Sequence, residues 1–254
     1  MHLKEFDRLV QIMKRLRKEC PWDREQTPET LRQYILEEAY ETIEMIDGGN
    51  WDELKKELGD LLLQIIFQAE IAEEESRFTL AEVIEHINNK LVERHPHVFG
   101  DTTVHSAAEV KGNWEQIKLK SERRKSILEG VPKTLSALLR AQRIQDKASQ
   151  VGFDWEDPAG VLDKVQEEIA ELRAGASPQE IEEEIGDLLF SLVNLCRFQG
   201  VSAEDALRKT TEKFISRFQY IEQKLGERQQ PLKAVPLEVM EQLWQEAKSR
   251  AQNT

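Results

Sequence analysis

The sequence is poor in everything that breaks or staples a chain. Its 254 residues include two cysteines, eight prolines and twelve glycines, and only 7% are aromatic. Two cysteines, Cys20 and Cys196, exclude a multi-disulfide framework and a four-cysteine zinc site, which fits a reducing compartment. No apolar run reaches the roughly 18 residues needed to cross a bilayer, and MHLKEFDRLVQIMKRLRKEC lacks the uninterrupted apolar core of a signal peptide. Positive charge is also short: 35 basic against 48 acidic residues give a net charge of −13. Nonspecific attachment to nucleic acid or to an anionic membrane is therefore excluded as a first reading, and a polyanionic ligand needs a cation between it and the chain. These absences predict a soluble cytoplasmic protein. What is present is Glu, Leu, Lys, Gln, Arg and Ala, the composition of helices, with no strand-like alternation.

The chain repeats itself. LEEAYETIEMIDGGNWDELKKELGDLLLQIIF at 36–67 is echoed by QEEIAELRAGASPQEIEEEIGDLLFSLVNL at 166–195, sharing E-E-x-x-E and then E-x-x-D-L-L. Downstream, Lys90 and Arg94 match Lys213 and Arg217, EVKGNWEQIK at 109–118 matches EVMEQLWQEAK at 238–248, and Trp22 pairs with Trp155. Five features in one order indicate duplication. The expected division is a first unit at 1–125, a linker at 126–134 within the stretch SERRKSILEGVP, and a second unit at 135–254. Within them the pattern predicts helices over 5–19, 29–47, 51–75, 79–94 and 107–124, then 135–149, 157–174, 178–199, 203–225 and 236–251. Thr27-Pro28 and Ser177-Pro178 read as helix caps with proline at the first helical position, and Gly48-Gly49-Asn50 as a break between helices. His95-Pro96-His97 falls at a helix end, and without a cysteine or third histidine at ligand spacing it reads as a solvated terminus.

On a helical wheel Val161, Val165, Ile169 and Leu172 form an apolar stripe, and Glu168 falls inside it, with Glu171 and Lys164 at its near edge and Glu167 further out. In the next helix the stripe is Ile181, Ile185, Leu188, Leu192 and Leu195. Glu184 lies within it, and Asp187 and Asn194 lie on its flank. A carboxylate on an apolar face is costly unless a cation or donor meets it. Two such helices packed antiparallel aim Glu168, Glu171, Glu184 and Asp187 at one volume. Crowded carboxylates raise each other's pKa unless a divalent cation neutralises them. An all-oxygen quartet without imidazole or thiolate suits a hard ion, Mg²⁺ first and Mn²⁺ second, whereas a ferritin-like di-iron site wants Glu-x-x-His on paired helices. Mg²⁺ keeps open positions for water and phosphate oxygens, so the quartet points to a phosphorylated substrate. Lys213 and Arg217, at i and i+4 on the edge of the stripe Leu207, Phe214, Phe218 and Ile221, are spaced to hold those oxygens. Lys164 and Asn194 are further candidates for substrate contact. Trp244, among Leu237, Met240 and Leu243, reads as core or as a platform for a base.

Glu167-Glu168-Ile169-Ala170-Glu171 followed by Glu184-Ile185-Gly186-Asp187 resembles the signature of the MazG nucleoside triphosphate pyrophosphohydrolases. CPWD at 20–23, LEEAYE at 36–41, GDLLLQ at 59–64, ERHPHVF at 93–99, NWEQIK at 113–118 and VGFDW at 151–155 resemble two-domain bacterial members, so the likeness covers essentially the whole chain. The resemblance implies an all-α fold of tandem helical units whose bundles are completed in a homodimer, dependence on Mg²⁺, and hydrolysis of (d)NTPs at the α-phosphorus to (d)NMP and pyrophosphate. It further implies that the second unit is the catalytic one. Glu168, Glu171, Glu184 and Asp187 would hold the metal, Glu168 or Glu171 would serve as general base, Lys213, Arg217 and Lys164 would neutralise phosphate charge, and Trp244 would stack on the base. The first unit keeps Glu38, Glu41, Glu57 and Asp60, but carries Tyr34 where the second has Lys164 and Phe67 where it has Asn194, which favours the second site. Two other readings stay open on the sequence: a noncatalytic Mg-nucleotide-binding scaffold, and a narrower relative such as a dimeric dUTPase.

Overall fold

The computed structural model describes residues 2–104, 106, 109–110 and 125–252, and among these every regular element is helical. They fall into two compact units, Met1–Val110 and Lys111–Thr254. The helix expected at 107–124 falls almost wholly outside the described residues.

The first unit comprises α1 (His2–Glu19), α2 (Pro21–Glu25), α3 (Pro28–Gly48), α4 (Trp51–Glu74), α5 (Leu80–Arg94) and α6 (Pro96–Phe99). The caps explain the boundaries. Thr27 opens α3 with a capping box: its hydroxyl accepts from the Thr30 amide while the Thr30 hydroxyl accepts from the Thr27 amide. Gly49 closes α3 in the left-handed region at φ 64°, and Asn50, whose side chain accepts from Glu53 N, restarts the chain as α4. A connection of two residues folds α4 back along α3, the closest helix pair of this unit. Met13, Leu31, Ile66, Phe67 and Ile71 form the core, drawn from α1, α3 and α4. Arg17 of α1 is buried beside it, donating to the carbonyls of Asp23 and Gln26 and pairing with Glu74. It thereby fixes the CPWD segment, α2, against the end of α4.

The second unit comprises α7 (Ala137–Ser149), α8 (Pro158–Ala174), α9 (Pro178–Phe198), α10 (Ala203–Glu227), a 3₁₀ turn (Leu232–Ala234) and α11 (Leu237–Gln252). Asp157 caps α8 by accepting from the amides of Ala159 and Gly160, and Ser177 with Glu180 forms a further capping box at α9. α8 packs along α9, α7 and α10 pack on α9, and α10 packs on α11. Trp155 lies directly over Gly160, where a β-carbon would come within 2.5 Å of its ring, so the VGFDW loop is seated on the first turn of α8. Ile221, Leu225 and Leu243 form the α10–α11 core, with Met240 and Trp244 against it.

One expectation about burial differs. Val161, Val165 and Glu168 of α8 are buried as the wheel predicts, but in α9 Ile181, Ile185 and Leu192 are exposed, while Ser191, Val193 and Asn194 are the buried residues. The apolar stripe of α9 exists, but among the described residues it is only partly covered: Leu188 and Leu195 are half-buried, while Ile181, Ile185 and Leu192 stay exposed.

Candidate active site

The α8–α9 pair places four sequence-predicted carboxylates near one another. Glu168 stands in the buried stripe of α8 at 3% exposure, and Glu171, one turn on, is exposed. Glu184 comes from α9, which returns along α8. Glu168, Glu171 and Glu184 each offer an oxygen, and these oxygens lie within 4.8 Å of one another. Asp187, one turn beyond Glu184, is exposed and stands outside that group of three, although its charge acts on Glu184. Burial, and then the charges of Glu171, Glu168 and Asp187, push the Glu184 carboxyl above the usual carboxylate range. Three clustered oxygen donors, one held up by its neighbours, fit a hard divalent cation.

Lys164 supplies a nearby cation. Its Nζ lies 2.7 Å from Glu167 Oε1 and 2.8 Å from Glu168 Oε1, and these hydrogen bonds hold the ammonium well above its ordinary range. Lys164 therefore remains charged at any physiological pH. Asn194 is 4% exposed and its Oδ1 accepts from Arg197 Nε at 2.9 Å, while Arg197 forms a two-pronged pair with Asp154. This Asp154–Arg197–Asn194 chain ties the VGFDW loop to α9. Sequence reading singled out Asn194 but not its two supports. Asp154 sits inside a quoted motif, yet its pairing with Arg197 spans 43 positions and leaves no local signal.

Lys213, Arg217 and Trp244 gather elsewhere in the unit. Arg217 lies over the Trp244 ring at 5.4 Å, and Phe214 packs on that ring at 5.0 Å between centroids. Lys213 and Arg217 line a cleft of about 900 Å³ along α10 and α11. No ion pair joins them to Glu168, Glu171, Glu184 or Asp187 among the described residues. α10, which carries them, packs against α9, which carries Glu184.

The first unit repeats the carboxylates and changes their surroundings. Glu38, Glu41 and Glu57 bring oxygens within 4.8 Å of one another, and burial with the charges of Asp60 and Glu41 raises Glu38. Tyr34, at the position of Lys164, instead packs edge-on against Trp22 at 6.1 Å. Phe67, at the position of Asn194, is a core residue at 3% exposure beneath Arg17. The polar chain of the second unit is thus replaced by packing in the first.

Comparison with known proteins gives the family. The family model described as the MazG nucleotide pyrophosphohydrolase domain matches residues 26–99 and again 158–221. A nucleoside triphosphate pyrophosphohydrolase/pyrophosphatase MazG of Thermotoga maritima is 48% identical over 247 residues, spanning 96% of this chain and 95% of that protein. A nucleoside triphosphate pyrophosphohydrolase of Escherichia coli K12 is 45% identical over 257 residues, spanning 97% and 98%. A crystal structure of a mazG-related protein from Thermotoga maritima overlaps 44% of this chain and 97% of its own at 27% identity, with a TM-score of 0.40. The chain is a member of the MazG nucleotide pyrophosphohydrolase family, hydrolases acting on acid anhydrides, and carries the family's domain twice.

Proposed function

We propose that the second unit hydrolyses nucleoside triphosphates, ribo and deoxy, at the α-phosphorus, releasing nucleoside monophosphate and pyrophosphate in the cytoplasm. The observation that carries this reading is the convergence of Glu168, Glu171 and Glu184, whose oxygens lie within 4.8 Å of one another with Lys164 beside Glu168. Such a group is a cost to the fold unless a cation serves it. These three, with Asp187 one turn away, are the residues that would hold Mg²⁺, or Mn²⁺ in its place. When bound, that ion supplies charge neutralisation at the phosphate oxygens and a water of lowered pKa.

The chain's own groups divide the remaining work. Glu168 or Glu171 takes the proton of the attacking water as general base. Lys164, held beside Glu168, keeps that carboxylate in place and offers positive charge to the α-phosphate. Lys213 and Arg217 neutralise charge developing toward the leaving pyrophosphate, and Trp244 offers its face to the base. Asn194, fixed by Arg197, lies on the same helix as Glu184 and is the remaining polar contact for substrate. The first unit keeps the carboxylates without Lys164 and Asn194 and is the less active site.

The active form in this proposal is a homodimer. Support comes from α9, where Ile181, Ile185 and Leu192 are exposed along one stripe beside the carboxylates, a surface that a second copy would bury. Sedimentation should give about twice 29.5 kDa at micromolar concentration, and a stable folded monomer would reject it. The activity itself is tested on a panel of ribo- and deoxyribonucleoside triphosphates with Mg²⁺, resolving pyrophosphate from orthophosphate. Equimolar monophosphate and pyrophosphate are expected, and release of orthophosphate from the triphosphate would reject the assignment.

A further inference from the structure

We infer that Lys248 is a third phosphate-binding residue of the second unit and that it holds the pyrophosphate end of the substrate. The inference rests on the triphosphate reading above. The cleft of about 900 Å³ is bordered on one side by Lys213, Arg217 and Tyr220 of α10 and on the other by Lys248 and Arg250 of α11. In a chain of net charge −13 this is a local reversal of sign, since Glu212 is the single carboxylate among the residues that line it. Arg250 is already engaged: its guanidinium lies 5.0 Å from the Tyr220 ring centre and 3.8 Å from Glu246, whose carboxylate also accepts from the Tyr220 hydroxyl. Lys213, Arg217 and Lys248 form no ion pair among the described residues. Lys213, Lys248 and Arg217, the last resting over the Trp244 ring, thus present positive charge to one cleft from two helices with no carboxylate paired to them, which favours an anion there.

The arrangement suits a chain of phosphates rather than one. Lys213 and Arg217 stand on α10 and Lys248 on α11, so the cleft offers cations from two helices to an anion with many oxygens. A diphosphate group presents oxygens to both walls at once. Lys248 adds a compact point charge with three donors on a flexible stem, able to follow a departing group. α10 also packs on α9, so this cleft and the carboxylate cluster occupy neighbouring helices of one unit. Lys248 stands in EVMEQLWQEAK, whose counterpart in the first unit is NWEQIK, and neither composition nor periodicity marks it as more than a solvated lysine.

The test uses the full chain with Mg²⁺ and compares Lys248→Ala with Lys248→Arg and with Lys233→Ala, which removes the same charge from the exposed 3₁₀ turn. The two reaction products separate the ends of the substrate. Lys248→Ala should lower kcat/KM for a nucleoside triphosphate and weaken inhibition by inorganic pyrophosphate by about ten-fold each, the equivalent of one partly solvated charge-assisted hydrogen bond. Inhibition by nucleoside monophosphate should be unchanged, Lys248→Arg should recover most of both losses, and Lys233→Ala should show neither. Unchanged pyrophosphate inhibition in Lys248→Ala, equal weakening of both products, or the same loss in Lys233→Ala would overturn the inference while leaving the enzyme's activity standing. Failure of the unmodified chain to release pyrophosphate would instead remove the triphosphate reading, and the inference with it.

Discussion

Glu168→Gln probes the carboxylate cluster where it is most buried. The substitution keeps volume and shape at a position 3% exposed and removes one of the three converging charges. Two consequences oppose each other in the metal-free protein: the contact with Lys164, 2.8 Å away, loses its ionic character, and repulsion from Glu171 and Glu184 is relieved. Stability in a chelator should therefore change little. The response to Mg²⁺ should change much more. An ion that binds only the folded state adds about 2.7 kcal/mol at a hundred-fold excess over Kd, which in a unit of this size is a rise of about 10 °C in Tm. Losing one carboxylate ligand weakens binding by about ten-fold or more, leaving about 1.4 kcal/mol and about 5 °C at the same Mg²⁺ concentration. Calorimetric melts of the full chain in chelator and in stepped Mg²⁺, alongside turnover, measure both quantities. If Glu168→Gln melts with the full Mg²⁺ increment and keeps its turnover, Glu168 is simply a core carboxylate satisfied by Lys164, and the cluster does not hold the ion.

The two units should respond unequally to the same change: Glu171→Ala is expected to abolish pyrophosphate release and Glu41→Ala to leave most of it, and equal losses would show that both sites work or that they are coupled. A pH effect is expected in the first unit, where burial pushes the Glu70 carboxyl upward, with Lys14 opposing at 3.8 Å and Glu73 and Glu74 adding to the rise. A carboxyl raised on folding contributes most below its unfolded pKa, and that contribution is lost as pH rises through the folded value. Glu70→Gln, which mimics the protonated form, should therefore gain in Tm relative to the unmodified chain as pH rises above the unfolded glutamate value of about 4.3. A relative loss on raising the pH would contradict the assignment.

Much of this architecture was legible because helices declare themselves locally. Thr27-Pro28, Ser177-Pro178 and Gly49-Asn50 mark boundaries through caps that satisfy the helix's own first amides, and each is realised as such. α2 and α6, five and four residues long, are too short for periodicity to register. Glu168 was legible as a buried carboxylate because three turns of apolar neighbours fix the face of α8. The stripe of α9 was equally clear, but periodicity reports which residues want burial and not which chain supplies the cover, so Ile181 and Ile185 remain exposed here. The network around Asn194 was invisible, since Arg197 and Asp154 meet through tertiary structure alone. Lys213 and Arg217 were read correctly as one helix edge, yet their neighbours, Trp244 and Lys248 of α11, follow from how α10 and α11 cross.

Attack by water on the α-phosphorus within the α8–α9 site is tested most directly by isotope placement. Hydrolysis of a nucleoside triphosphate in ¹⁸O-enriched water with Mg²⁺, followed by mass analysis of both products, reports which phosphorus received the solvent oxygen. One labelled oxygen is expected in the nucleoside monophosphate and none in the pyrophosphate, with the labelled product lost in Glu171→Ala. Label appearing in the pyrophosphate would place the attack on the β-phosphorus and contradict attack at the α-phosphorus.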